Sequence, residues 1–124
     1  MAKDTPEEMN STLTIEQIMN WDPEIIFMGR MDDTGIILDN DAWSGITAVE
    51  NGDVYLSPSG VFHWDYSGES VLLMLYLAKN IQPDLFADLN MEDEIQNYYE
   101  TFYGYTLSDE NIQNILNHMA PAEQ

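Results

Sequence analysis

Apolar positions along the chain come in short bursts separated by acidic and glycine-containing stretches, and the spacing within each burst sets the element it predicts. Residues 1–12 carry no such burst and read as a disordered lead-in. Thr14 with Gln17 fits a capping box, and Leu13 with Ile18 a hydrophobic staple, so a short helix is expected from Ile15 to about Asn20. Trp21-Asp22-Pro23 ends it, because proline biases the preceding residue away from helix. Glu24-Ile25-Ile26-Phe27-Met28-Gly29 is an apolar run closed by glycine and reads as a buried strand of a parallel sheet. Residues 30–40 read as a polar loop and Asp41 to Ser44 as a short helix capped by Asp39 or Asn40. Ile46, Ala48 and Val49 lead to Asn51-Gly52, a turn signal, and then to a second strand, Val54-Tyr55-Leu56.

Ser57 to Tyr66 reads as a loop rich in serine, glycine and aromatics. Ser67 is placed to cap the run Val71 to Ala78, which is apolar nearly all round and is expected to be buried on several faces until Pro83 ends it. Asp84-Leu85-Phe86 follows as a single helical turn. Asn90 caps a helix whose Ile95, Tyr98, Tyr99 and Phe102 share one face, with acids Glu92, Asp93 and Glu94 in its first turn and Gly104 at its close. Ser108 caps a last helix with Ile112, Ile115, Leu116 and Met119 at helical spacing. The expectation is one α/β lobe over 13–119 with a flexible tail at 120–124. Two short strands make a poorly protected sheet. Either a third strand lies in a segment read here as something else, or the sheet continues in chain beyond these residues.

Charge narrows the partners. Lys3, Arg30 and Lys79 stand against 23 acids, for a formal net charge of -20. Such a chain repels nucleic-acid phosphates and anionic lipid surfaces, so neither is an expected partner. It suits solubility, cation binding or a basic protein partner. The absence of cysteine excludes disulfides and thiolate metal sites. No export signal or membrane span is read in the 124 residues. No glycine-rich phosphate loop matches, and Ser57 and Ser59 have no evident base, so the chain is expected not to be an enzyme and to use no cofactor.

Three segments, in order, carry a family resemblance. Thr14-Ile15-Glu16-Gln17-Ile18 with Trp21-Asp22-Pro23-Glu24-Ile25-Ile26 is the first. Asp41-Ala42-Trp43 with Ile46 to Tyr55 is the second. Leu75-Tyr76-Leu77-Ala78-Lys79, Gln82-Pro83-Asp84-Leu85-Phe86 and Tyr98 to Gly104 form the third. Together they resemble the C-terminal part of the helical-backbone solute-binding proteins of ABC importers, the class that takes iron(III) siderophores, haem, cobalamin and related metal chelates. Glu50 and Asp53 depart from it, standing where the family commonly has basic residues. The resemblance implies a partial Rossmann-like lobe: a small, mostly parallel sheet flanked by helices, with a helix-rich C-terminal half. It implies one side of a ligand cleft, an ABC permease as partner, and a siderophore, haem or corrinoid as ligand. It also implies a periplasmic or membrane-anchored extracellular setting for the full-length protein.

Ligands of open α/β sheets sit at the carboxyl ends of the strands. Arg30, after the first strand, is there to grip chelate oxygens in bidentate fashion, or else pairs with Asp32 or Asp33. After the second strand, Phe62, His63, Trp64 and Tyr66 cluster in one loop. Trp64 and Tyr66 are expected to stack on a ligand, and His63 is a candidate direct ligand to its metal through neutral imidazole; the other reading is that one or two of these rings plug the sheet end and His63 is solvated. The resemblance further implies an acid that docks on a basic pocket of the permease. Glu69 and then Asp65 are the candidates, against a plain helix-dipole role. Asp39-Asn40-Asp41 to Glu50 falls short of a calcium loop, because Gly45 comes one place late and Trp43 stands where an oxygen ligand is required. Trp43 is expected in the core. The alternative to transport is a stand-alone acidic protein that binds a basic partner, which a translation start at Met1 would favour.

Overall fold

The computed structural model describes residues 12–29 and 33–118. They form two compact units, 12–28 with 33–55, and 29 with 56–118.

The first unit opens with α1 (Ile15–Trp21), held by the expected capping box: Gln17 N–H donates to Thr14 Oγ1 at 3.3 Å and Thr14 N–H to Gln17 Oε1 at 2.9 Å. Asp22 stops α1 in the left-handed region at φ 45°. Its carboxylate then accepts from Thr47 N–H at 2.8 Å and from the Thr47 hydroxyl at 2.9 Å. One residue therefore ends α1 and caps the start of α3 (Thr47–Asn51), whose own N-cap, Ile46, has no side-chain acceptor to offer. Those two bonds hold the Asp22 carboxyl below its usual range, the backbone bond first.

β1 (Ile26–Met28) and β2 (Val54–Leu56) pair as a two-stranded parallel sheet, with Phe27 and Tyr55 stacked at 5.3 Å. Between them the chain differs from the sequence reading. Gly35–Leu38 forms α2 inside the stretch read as loop. As the sequence predicts, Asp41–Trp43 is a short helix, here of 3-10 type, capped by Asn40, whereas Thr47–Asn51 adds a helix, α3, that the turn signal Asn51-Gly52 closes. Gly52 has φ 75°, the left-handed conformation that a helix C-cap and a tight turn both demand of glycine. Met28, Ile37, Ile46, Ala48 and Val54 supply the buried apolar residues of this unit. Trp43 is half-buried rather than enclosed.

The second unit is helical: α4 (Ser70–Ile81), α5 (Met91–Tyr98) and α6 (Asp109–Leu116). Asn90 Oδ1 accepts from Glu92 and Asp93 N–H, and Ser108 Oγ from Asn111 N–H, as their positions predict. α5 does not run on as one helix. It widens into a π-helical turn, Tyr99–Tyr103, closed by Gly104 at φ 62°. Leu72, Met91, Ile95, Leu107, Ile112 and Ile115 pack with Trp64 and Tyr99 into the core. The α4 segment is less enclosed than its composition predicts: Leu72 is buried, whereas Val71, Met74 and Ile81 are exposed. Among the described residues there are two strands and no third, and no helix is long and apolar enough to cross a membrane.

Candidate functional site

The loop after β2 is the structured feature that brings the predicted residues together. Its start is pinned to α6: Ser59 N–H donates to the Ile115 carbonyl at 3.2 Å, and His118 Nδ1 lies 2.6 Å from the Ser57 carbonyl oxygen. A carbonyl only accepts, so His118 Nδ1 carries the proton. Ser59 and His63 then form an isolated antiparallel bridge, and Gly60 N–H donates to the Phe62 carbonyl at 3.1 Å. The tip is therefore a tight reversal over 59–63. It leads into a 3-10 turn, Trp64–Tyr66.

The reversal points side chains in two directions. Val61, Phe62 and Tyr66 face outward, at 58%, 60% and 65% exposure. Trp64 goes inward, fully buried, edge-on to Tyr76 at a centroid distance of 6.5 Å. Trp64 was expected to stack on a ligand; in the structure it is the plug of the second unit, because a ring enclosed on all sides offers no face to a solute. Its Nε1–H has no hydrogen-bond partner. His63 is half-buried, its ring stacked on His118 at 5.7 Å, and its Nδ1 is enclosed without a hydrogen-bond partner. Among the described residues no group of three His, Asp or Glu is placed to hold a metal ion. Arg30 lies outside the described residues.

The two docking candidates separate in the same way. Asp65 is exposed, with Gly29 beside its carboxylate. Glu69 is fully buried. A carboxylate at that depth cannot meet a permease, so the expectation of a docking role for Glu69 is corrected. Its partners explain the burial. Oε1 accepts from the Tyr99 hydroxyl at 2.5 Å and Oε2 from Phe62 N–H at 3.2 Å. The Tyr99 oxygen in turn accepts from Val61 N–H at 3.2 Å. Burial first, then the hydrogen bond to Glu69 and its charge, push the Tyr99 phenol far above its ordinary range, so it remains a donor at any physiological pH. Tyr103, in contact with Tyr99 at 5.0 Å, is pushed up to about 12 by burial and then by Glu69.

The sequence places Tyr99 on the apolar face of α5, but its hydroxyl partner was not legible. A glutamate thirty residues upstream carries no sequence mark of facing it. Gly60 was a usable signal: a Cβ there would fall on the Tyr99 hydroxyl and the Glu69 carboxylate, so only glycine lets the backbone come so close.

Two clefts lie elsewhere on this unit. One, of about 460 Å³, is lined by Lys79, Ala87–Glu92 and Leu116, the other, of about 320 Å³, by Glu92, Asp109, Ile112 and Gln113. Neither includes a residue of the loop. Lys79, the only lysine or arginine among the described residues, donates to the Leu89 carbonyl.

No protein-family model matches the chain. Several solved structures share its fold. A periplasmic solute-binding protein from Veillonella parvula is 34% identical with a TM-score of 0.75, over 86% of this chain and 34% of that one. An ABC-transporter solute-binding protein from Sulfurospirillum deleyianum is 28% identical with a TM-score of 0.74, over 83% and 32%. The molybdate-binding protein MolA of Haemophilus influenzae is 26% identical over 103 residues, which are 80% of this chain and 29% of MolA. The chain thus spans about a third of the length of these proteins. Its α/β fold, with a small parallel sheet, matches part of a periplasmic binding-protein lobe.

Proposed function

We propose that the chain is part of the solute-binding component of an ABC importer, in which the loop 57–66 forms one lip of the ligand cleft. The observation that carries this reading is the shared fold over most of the chain with the solute-binding proteins of Veillonella parvula and Sulfurospirillum deleyianum. The mechanism is capture without covalent chemistry. The outward-facing Phe62 and Tyr66 present aromatic surface to the solute, at the carboxyl end of β2. Arg30, which follows β1 in the sequence, is the candidate to hold ligand oxygens. Exposed Asp65 is the remaining candidate for an acid that docks on an ABC permease. The setting that fits is the periplasm.

The ligand proposed is an iron(III) chelate or a related metal complex. Electrostatics narrows its charge. The chain carries -20, and the Lys79 ammonium already donates to a backbone carbonyl. A neutral or cationic complex, such as an iron(III) tris-hydroxamate or a corrinoid, meets less repulsion than an anionic one. A second reading is molybdate, favoured by the likeness to MolA. It requires an oxyanion to approach this acidic surface, with Arg30 as its counter-charge.

Titration calorimetry with an iron(III) tris-hydroxamate and with sodium molybdate separates the readings. The metal-complex reading expects saturable binding of the first and none of the second at equal concentration. Phe62→Ala should weaken that binding about tenfold, the loss of one aromatic contact worth about 1.4 kcal/mol. Molybdate binding alone would establish the second reading. Binding of neither, with retention of a basic protein such as cytochrome c, would replace transport by the acidic interaction role.

A further inference from the structure

The tip of the loop is poorly held by its own side chains. Val61 and Phe62 are more than half exposed, so apolar packing contributes little to fixing the backbone between Gly60 and Trp64. What does fix it is polar: two part-buried backbone bonds to acceptors that are themselves buried. Val61 N–H ends on the Tyr99 oxygen, Phe62 N–H on Glu69 Oε2, and the two acceptors are joined by the 2.5 Å bond from the Tyr99 hydroxyl to Glu69 Oε1.

We infer that Glu69 and Tyr99 are a positioning pair, whose work is to set the loop so that Phe62 and Tyr66 face the solute. The inference rests on reading that loop as a ligand lip. Three further features fit it. Gly60 leaves room for both acceptors to come up under the turn, which any side chain would deny. Glu69 is itself fixed, its N–H donating to Ser67 Oγ at 3.2 Å at the start of α4. Tyr99 opens the π-helical turn that ends this helix at Gly104, so its ring sits at a fixed helix terminus. A buried carboxylate is also a poor choice for stability alone, since apolar groups of similar volume commonly serve as well. Here its two oxygens do what no apolar group does: they take one donor from the loop and one from Tyr99.

The test is amide hydrogen exchange by NMR on the full chain, alongside binding of an iron(III) tris-hydroxamate. Tyr99→Phe keeps the ring and removes the acceptor for Val61 together with the donor to Glu69. The Val61 and Phe62 amides should then exchange faster by about tenfold, the effect of losing one hydrogen bond of ordinary strength, while Ile95 and Ile112 stay protected. Affinity should fall by a similar factor. Glu69→Gln offers one acceptor where the carboxylate offers two, so it should loosen the same two amides with the core intact. Unchanged exchange at 61 and 62 in both variants would overturn the inference, as would equal acceleration throughout α5 and α6, which marks a core role only. Loosening of the tip with no change in affinity would also overturn it, because the loop would then be held for something other than binding. The lip itself is tested apart, by Phe62→Ala, which leaves the pair untouched. If the parent chain binds no complex but Tyr99→Phe still frees the two amides, the ligand reading fails and the bracing alone stands.

Discussion

Trp64 gives the sharpest contrast between two roles for one side chain. A ligand-stacking tryptophan is exposed and cheap to remove. The structure buries it fully, in the core cluster that also holds Leu72, Met91 and Ile95, and edge-to-face with Tyr76. Trp64→Ala removes an entire buried indole and leaves a void, a change that costs about 3–5 kcal/mol. A domain of this size has about 5–15 kcal/mol in total, so the variant should be barely folded. Trp64→Phe is different. It gives up the second ring, worth about 1–2 kcal/mol of burial. It also removes an enclosed Nε1–H that has no partner, a donor whose burial costs about 1–3 kcal/mol. The two terms oppose, and the net change should lie between about 1 kcal/mol of loss and about 2 kcal/mol of gain. Urea unfolding followed by far-ultraviolet circular dichroism reads both variants, with exchange at the Ile95 amide reporting on the second unit alone. A cost below about 1 kcal/mol for Trp64→Ala would refute the burial, since removal of a large core side chain is never that mild. A cost for Trp64→Phe equal to that of Trp64→Ala would refute the unpartnered Nε1–H.

Other changes should follow from the same contacts. Gly60→Ala drives a methyl into the Tyr99 hydroxyl and the Glu69 carboxylate and should cost about 1–3 kcal/mol in urea unfolding, whereas a neutral result would show that the loop lies further from α5. Asn90→Ala strips the acceptor from Glu92 and Asp93 N–H and should cost about 1 kcal/mol, read by the same assay. In alkali, the phenol of Tyr103 should lose its proton near pH 12 rather than at its ordinary 10.0. Because the folded chain holds that proton more tightly than the unfolded one, the associated stability is complete below pH 10.0 and lost as pH rises through about 12. Thermal midpoints should therefore fall across that window, and Tyr103→Phe should lessen the fall; an identical fall in the variant would contradict the assignment.

The elements most legible in the sequence were those with chemical punctuation. Thr14 with Gln17, Asn90 and Ser108 are caps whose side chains do what their positions announce. What escaped was structure whose signal is shared by two outcomes. Asn51-Gly52 asks for a left-handed residue, and both a hairpin turn and a helix C-cap supply one; α3 is the outcome here. Gly35–Leu38 is a single helical turn, too short for any periodicity to show. The site was legible as a place and not as an arrangement. The aromatic loop was found in full, but the direction each ring takes depends on a reversal at 59–63 that is fixed by Ile115, Tyr99 and Glu69, all distant in sequence or on other elements. Hence Trp64 and Glu69, each read with a ligand or docking role beside a structural one, are inside, and Phe62 and Tyr66 carry the exposed surface. The composition of α4 likewise marks a helix suited to burial, although Val71, Met74 and Ile81 are exposed among the described residues.

The role in solute capture is tested most directly by mapping amide chemical shifts of the full chain during titration with a neutral iron(III) tris-hydroxamate, using its gallium(III) analogue to avoid paramagnetic broadening. A single lip of a cleft binds weakly, and shift mapping registers affinities down to about 1 mM, roughly 4 kcal/mol. Saturable shifts centred on Val61, Phe62 and Tyr66, and weakened by Phe62→Ala, are the expected result. Shifts confined to other surfaces, or none at saturating ligand with sodium molybdate equally silent, would contradict a ligand-binding role for this loop.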